Sequence, residues 1–451
     1  MSSASPSAGY LRVLSRFDAT MLVIGSIIGG GVFFTPNDIA QIVPAPAPML
    51  TVWLLGGLIA VTGALTYAEL GGMYARAGGV YLYLRDGLGG LPAFLYAWAL
   101  ILVIAPGALA LVAGFFSANL ATLVPLSGRA AEVWLAVAMI LLLTGINIRG
   151  VRWGSNVQNV VTVAKLVALA MLIVGGLLYR GEPQAAPVGT ESPEGSFGAL
   201  AVLMAMMPVL FSYGGWQNGT YIAAEVRNPQ RDVPWAIIGG TAVVIVCYVL
   251  VNVAYLRLMT PAAIAASRTF AAESSTIALG PTGGLIVTLG ILVSTFGICA
   301  AILLTNPRVA QAAGEDGLFF RACGRLHGTF RTPHVSIALL GVWSCVLLLV
   351  GGAGQLLDAV VFADWVFFSL TAVTLFVLRR TRPDAERPYR CWLYPWVPLL
   401  FLLLASSMAV LTFVKADTTS RILGPGILAA GVPFYFAFRR RQAVAAGQFL
   451  G

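Results

Sequence analysis

Ala19-Thr-Met-Leu-Val-Ile-Gly-Ser-Ile-Ile-Gly-Gly-Gly-Val-Phe-Phe-Thr-Pro36 is an apolar run interrupted near its middle by three consecutive glycines. About half a chain later the pattern recurs in Leu200-Ala-Val-Leu-Met-Ala-Met-Met-Pro-Val-Leu-Phe-Ser-Tyr-Gly-Gly-Trp-Gln-Asn-Gly219. A helix inside a bilayer satisfies its own backbone polar groups, so unwound backbone at that depth is tolerated only where it faces protein or a cavity. Paired glycine- or proline-interrupted spans at corresponding places in two halves point to a transporter's substrate site. The pair therefore predicts a carrier whose substrate sits between the two breaks.

The rest of the chain agrees with a bilayer setting. Of its 451 residues 59% are hydrophobic and 10% charged, with a mean hydropathy of +0.87. That leaves room for roughly a dozen spans of about 20 residues. Apolar runs put them at 18–43, 49–73, 91–123, 132–147, 156–179, 200–224, 234–258, 282–312, 335–352, 356–378, 392–414 and 421–438. The polar N-terminal stretch runs directly into the first span and lacks the layout of a cleavable signal peptide.

The net charge of +9 is an orientation signal, and no nucleic-acid partner is expected. Of 27 basic residues, six (Arg129, Arg180, Arg257, Arg268, Lys415, Arg421) fall on one side if the spans alternate, and Lys165 lies inside a span. The remaining twenty, from Arg12 and Arg16 to Arg439, Arg440 and Arg441, share the other side. The positive-inside rule then makes both termini cytoplasmic, in an inner or plasma membrane. Cys247, Cys299 and Cys345 fall in spans, and Cys323 and Cys391 in cytoplasmic loops, so no disulfide framework is expected. His327 and His334 share one cytoplasmic loop without further ligands. No metal cluster, Walker motif or triad is legible, which argues against a metal site, a cofactor, a membrane enzyme and an ATP-driven pump.

The two breaks differ chemically. Gly25 and Gly29 fit the spacing of a close helix contact, but three consecutive glycines add backbone freedom beyond what packing needs. With residues 28–31 out of helical geometry, the N–H groups at the start of the second half-helix attract an anion such as a carboxylate. In Phe211-Ser-Tyr-Gly-Gly-Trp216 the freed groups are carbonyls at the end of a half-helix, where a cation is favoured. Together they suit a zwitterion, the head group of an α-amino acid.

Lys165 lies about nine residues into its predicted span, roughly 14 Å deep at 1.5 Å per residue. A charged lysine there costs about 2.5–3.5 kcal/mol on insertion scales, so it needs partners. It reads as a fixed cation, or a titrating amine, where another transporter would hold a metal ion. Glu69 is expected to pair with Arg76 or another cytoplasmic arginine. Glu225, beside Arg227, reads as a gate or structural ion pair. Asp358 and Asp364 lie near the external end of their span, solvated or paired. Ser294 and Thr295 are either helix back-bonders or site hydroxyls, and Trp216 is read as packing around the pocket.

Four stretches resemble the amino acid–polyamine–organocation superfamily, and within it the L-type amino acid transporter group: Gly25 to Pro36, Tyr67-Ala-Glu-Leu-Gly-Gly72 with Ala77-Gly-Gly-Val-Tyr81, Phe211 to Trp216 followed by Glu225, and Val163-Ala-Lys-Leu-Val167. Arg387-Pro-Tyr-Arg-Cys-Trp-Leu-Tyr-Pro-Trp396 also looks like that group's approach to its eleventh span. The resemblance implies an all-α LeuT-type fold of 12 transmembrane helices with a 5+5 inverted repeat and helices 1 and 6 unwound. Its parts would be a cytoplasmic tail (1–17), a first repeat (18–179), an external loop (180–199), a second repeat (200–378), two further spans (379–438) and a second cytoplasmic tail (439–451).

The resemblance further implies that the N–H groups of Gly29, Gly30 and Gly31 hold the carboxylate and that the Ile27 carbonyl helps with the amine. Carbonyls of Phe211, Ser212 and Gly214 would hold the amine as well, with the Phe211 ring as a gate. Lys165 matches the lysine that replaces a sodium ion in sodium-independent members. Two departures stand out. Gly29-Gly30-Gly31 replaces the usual Gly-Ser-Gly, and Ile298-Cys-Ala-Ala301 replaces a more polar stretch. Residues 124–131 lack the cysteine that joins relatives to a heavy chain, so no disulfide-linked partner is expected. The function expected is sodium-independent alternating-access transport of amino acids, neutral L-amino acids first, by exchange or proton coupling. A polyamine or cationic amino acid transporter is the alternative. A channel would need continuous polar pore-lining residues, which these spans do not offer.

Overall fold

The computed structural model describes residues 9–124, 128–186, 198–350, 357–416 and 418–445. Its helices are α1 (Arg16–Ile27), α2 (Gly31–Ile42), α3 (Pro46–Met73), α4 (Val80–Leu88), α5 (Gly90–Ala99), α6 (Ala105–Ala121), α7 (Arg129–Ile148), α8 (Val151–Leu178), α9 (Ala199–Ser212) and α10 (Asn218–Tyr221). They continue with α11 (Pro229–Leu258), α12 (Pro261–Ala266), α13 (Phe270–Leu279), α14 (Gly283–Thr305), α15 (Pro307–Glu315), α16 (His334–Val350), α17 (Leu357–Thr381), α18 (Trp396–Lys415) and α19 (Thr418–Ala445). A π-helical turn, Leu100–Ile104, joins α5 to α6. Among the described residues no strand forms, and β-bridges link only Leu14 to Val226 and Gln184 to Met259.

Among the described residues ten helical stretches are long and apolar enough to cross a membrane, and Leu200–Ser212 and His334–Val350 are shorter apolar helices. This is a multi-pass membrane protein. Side chains such as Val160 (71% exposed) and Leu178 (72%) on α8 form apolar surface that a bilayer covers. A hydropathy window reads straight through the predicted span 200–224, whereas the helix stops at Ser212 where the backbone unwinds. The span predicted at 156–179 starts earlier, at Val151, which puts Lys165 at the helix midpoint. The predicted external loop 180–199 lies mostly outside the described residues, as does the side chain of Asp358.

Helix α1 opens with a capping box, Ser15 and Asp18 each bonding the other's backbone N–H. It packs against α8, α11 and α14, while α2 packs against α9, and α9 against α3. The first break is therefore held inside a ring of spans. Eight ion pairs among the described residues gather at helix ends on one side: the starts of α1, α8, α11 and α15 and the ends of α3, α4, α15 and α17. Glu69 pairs with Arg379 and Arg387 rather than Arg76, and also accepts the Cys391 N–H at 2.6 Å. Glu225 takes a two-pronged pair from Arg308 (2.8 and 2.9 Å), not from neighbouring Arg227. In both cases the carboxylate is buried, whereas Arg76 and Arg227 lie exposed outside the helices. Both Glu225 and Arg308 are fully buried, so only complementary geometry offsets their lost hydration.

Candidate substrate site

Ile27 ends α1, residues 28–30 are non-helical, and Gly31 opens α2. None of Gly29, Gly30 and Gly31 has a positive φ, and Gly30 sits at φ −66°, ψ −25°. The freedom expected of these glycines is therefore unused here; what they supply is room. A Cβ on Gly29 would lie 2.4 Å from Ile298 Cδ1, and one on Gly31 2.4 Å from Ser212 Oγ. On Gly30 it would meet the ring of Phe34 at 2.8 Å, next to Phe115. Among the described backbone bonds outside the helices, the N–H groups of Gly30 and Gly31 have no acceptor, as the first turn of a helix leaves them.

The second break covers residues 213–217. Here one glycine does need its conformation. Gly215 has φ +123°, and its Cβ would fall 2.5 Å from the Ser26 carbonyl oxygen. The two breaks thus touch backbone to backbone. The Ser212 hydroxyl is 2.8 Å from that of Thr35 and donates to the Pro208 carbonyl (2.9 Å), so α9 is also tied to α2. Gly214 turns back on α9, its N–H donating to Phe211 O at 3.1 Å. Phe211 itself is 50% exposed, whereas Trp216 is buried against Phe368 and Phe401.

Lys165 Nζ donates to the carbonyls of Gly25 (2.9 Å) and Ile28 (2.8 Å), both freed by the first break. Ser294 adds a bond to the same Ile28 carbonyl at 3.3 Å. Thr295 instead bonds its own helix at Ile291 and Leu292. Among the sequence-predicted residues, Ile27, Gly29, Gly30, Gly31, Ser212, Gly214, Lys165 and Ser294 converge on the two breaks, and Thr295 turns away. Among the described residues no group of side chains is arranged to hold a metal ion.

Tyr248 on α11 was not legible as a site residue. Its hydroxyl lies 3.0 Å from the Ile27 carbonyl and 3.2 Å from that of Ser212, spanning the last carbonyls of both half-helices. The signal was there in part, because Tyr248, Asn252 and Tyr255 recur at i, i+4 and i+7 on an otherwise apolar span. Since a carbonyl oxygen has two lone pairs, this bridge leaves one free on each. Tyr248→Phe is expected to slow transport by about 5- to 10-fold, the loss of roughly one hydrogen bond. Initial rates in proteoliposomes at matched protein content would measure it.

Residues 14–438 match the family described as "Amino acid permease". The chain is 32% identical to the human "b(0,+)-type amino acid transporter 1" over 432 residues, covering 95% of this chain and 88% of the relative. It is 31% identical to the "Serine/threonine exchanger SteT" of Bacillus subtilis (strain 168) over 440 residues, 96% of this chain and 98% of the relative. To the human "Large neutral amino acids transporter small subunit 2" it is 32% identical over 452 residues, 96% and 83% of the two chains.

Proposed function

This chain belongs to the amino acid permease family, and from that premise we propose that it is a sodium-independent secondary transporter of neutral L-amino acids working by alternating access. The observation that supports this reading most is the meeting of the two breaks, where unpaired N–H groups of Gly30 and Gly31 lie close to the carbonyl end of α9. The amino acid carboxylate binds the N–H groups of Gly29, Gly30 and Gly31. The amine binds the carbonyls of Ile27, Phe211, Ser212 and Gly214, and Phe211 closes over the substrate. Lys165 holds the unwound segment as a fixed cation, so sodium is not needed. The names of the relatives, an exchanger among them, favour exchange as the driving mode, with proton coupling as the second.

The twelve spans of an inverted 5+5 repeat plus two are the architecture proposed, with α1–α2 and α9–α10 as the two broken helices. Both termini are cytoplasmic, and the end rich in ion pairs is the closed cytoplasmic gate. A cysteine at exposed Glu182 should react with an impermeant thiol reagent in intact cells, and one at exposed Thr329 only after permeabilisation. The opposite pattern would invert the topology. The carrier acts without a disulfide-linked heavy chain, because residues 124–131, where relatives carry the linking cysteine, contain none.

Counterflow in proteoliposomes with each of the twenty amino acids tests the central reading. Saturable counterflow supports a carrier; non-saturating flux points to a channel. Gly30→Leu should weaken substrate affinity by more than about tenfold while the protein remains folded, because the side chain enters the space before the N–H groups. Unchanged affinity in the purified variant would remove Gly30 from the site.

A further inference from the structure

Helices α1 and α11 pack together, and an open cleft of about 570 Å³ lies where they begin. Four arginines line it: Arg12 and Arg16 at the approach to α1, Arg227 and Arg231 at the approach to α11. Asp232 is the only acid among the described lining residues, and Arg16 already holds it at 2.8 Å. Four guanidinium groups against one carboxylate leave three positive charges. Arg12, Arg227 and Arg231 are exposed and make no ion pair among the described residues. The chain before Gly9, Met1-Ser-Ser-Ala-Ser-Pro-Ser-Ala8, contains no acid that could neutralise them.

The backbone builds this convergence. The N–H of fully buried Leu14 donates to the Glu225 carbonyl, and the Arg227 N–H donates to the Leu14 carbonyl, both at 2.9 Å. That short ladder fixes the segment carrying Arg12 beside the one carrying Arg227. Membrane orientation needs basic residues at this end but not a shared cleft. Arg325, Arg380 and Arg390 count toward the same cytoplasmic excess while lying exposed and outside it. A cleft lined by one sign of charge focuses its field and draws in a counter-ion. One flank of the cleft is apolar: Trp235, one turn beyond Arg231, is 59% exposed, and Phe17, next to Arg16, is 55% exposed. The Arg16 guanidinium lies 5.9 Å from the Trp235 ring centroid, so the charged and apolar surfaces adjoin. Aromatic side chains at span ends sit at headgroup level, and guanidinium groups match phosphate oxygens in forked pairs. A phosphate ester with apolar tails satisfies both surfaces, whereas a soluble phosphate satisfies only the first.

We propose that this cleft binds the phosphate head group of an anionic phospholipid of the cytoplasmic leaflet, its acyl chains lying along Phe17 and Trp235. The bound lipid ties the first turn of α1 to that of α11. Arg16 is about 18 Å of helix from the break at residue 28, so the cleft is separate from the substrate site and its test needs no transport. Dioleoylphosphatidylglycerol titrated into the purified protein in dodecylmaltoside should raise the parent's Tm, and equal amounts of dioleoylphosphatidylcholine should not. Arg12→Gln/Arg227→Gln/Arg231→Gln should move the titration midpoint to more than about tenfold higher lipid. Single Arg12→Gln and Arg231→Gln should each move it about fivefold, and they decide the matter if the triple variant does not fold. Arg325→Gln/Arg380→Gln/Arg390→Gln should titrate like the parent. Equal stabilisation by phosphatidylcholine, a parent-like midpoint in the cleft variants, or an equal shift in the control triple would each overturn the proposal. So would the same stabilisation by inorganic phosphate alone, which would assign the cleft to a soluble anion.

Discussion

Lys165→Ala is expected to reduce amino acid exchange by at least about 100-fold while folded protein still reaches the membrane. Its ammonium makes charge-assisted bonds to two carbonyls, those of Gly25 and Ile28. Bonds of this kind contribute about 1.5–3 kcal/mol each, and about 2.8 kcal/mol already corresponds to 100-fold. The truncated variant leaves both carbonyls buried beside a gap, so the first break loses its fixed shape. On the proposed role, in which the ammonium takes the place of a metal cation, parent transport should be unchanged when sodium is replaced by choline. Lys165→Met separates packing from charge, since it fills most of the space without donating hydrogen bonds. A parent that requires an inward sodium gradient would defeat the fixed-cation role. So would a Lys165→Met variant running at the parent's rate.

Gly215→Ala should be nearly as damaging, for a different reason. At φ +123° an L-residue is strained by about 1–3 kcal/mol, and the new methyl would meet the Ser26 backbone carbonyl at 2.5 Å. Since that obstacle is main chain, no rotamer change relieves it. The two breaks must move apart, and substrate affinity should fall by more than about tenfold together with a lower Tm. Gly239→Ala on α11 is the control, because its Cβ would meet nothing within 4 Å. Both variants can be compared by thermal unfolding in detergent and by substrate competition. Parent-like affinity in Gly215→Ala would mean that the contact between the breaks is not needed for binding.

The sequence by itself determined that the chain is a bundle of apolar helices, that two of them are interrupted and where, and that Lys165 needs partners. These features follow from composition and from the cost of unsatisfied or charged groups in hydrocarbon, which act at each position regardless of neighbours. Only the tertiary structure decided who the partners are. Glu69 and Glu225 chose Arg379, Arg387 and Arg308 over the arginines next to them in sequence, because inward-facing carboxylates meet other helices and not their own flanks. Tyr248 became a bridge between the breaks only because α11 lies behind both. The glycines of the first break proved to supply space more than conformational freedom, while Gly215 supplies both. Contacts between residues hundreds of positions apart are set by how helices pack, and helical periodicity along one span carries no record of the span that will face it.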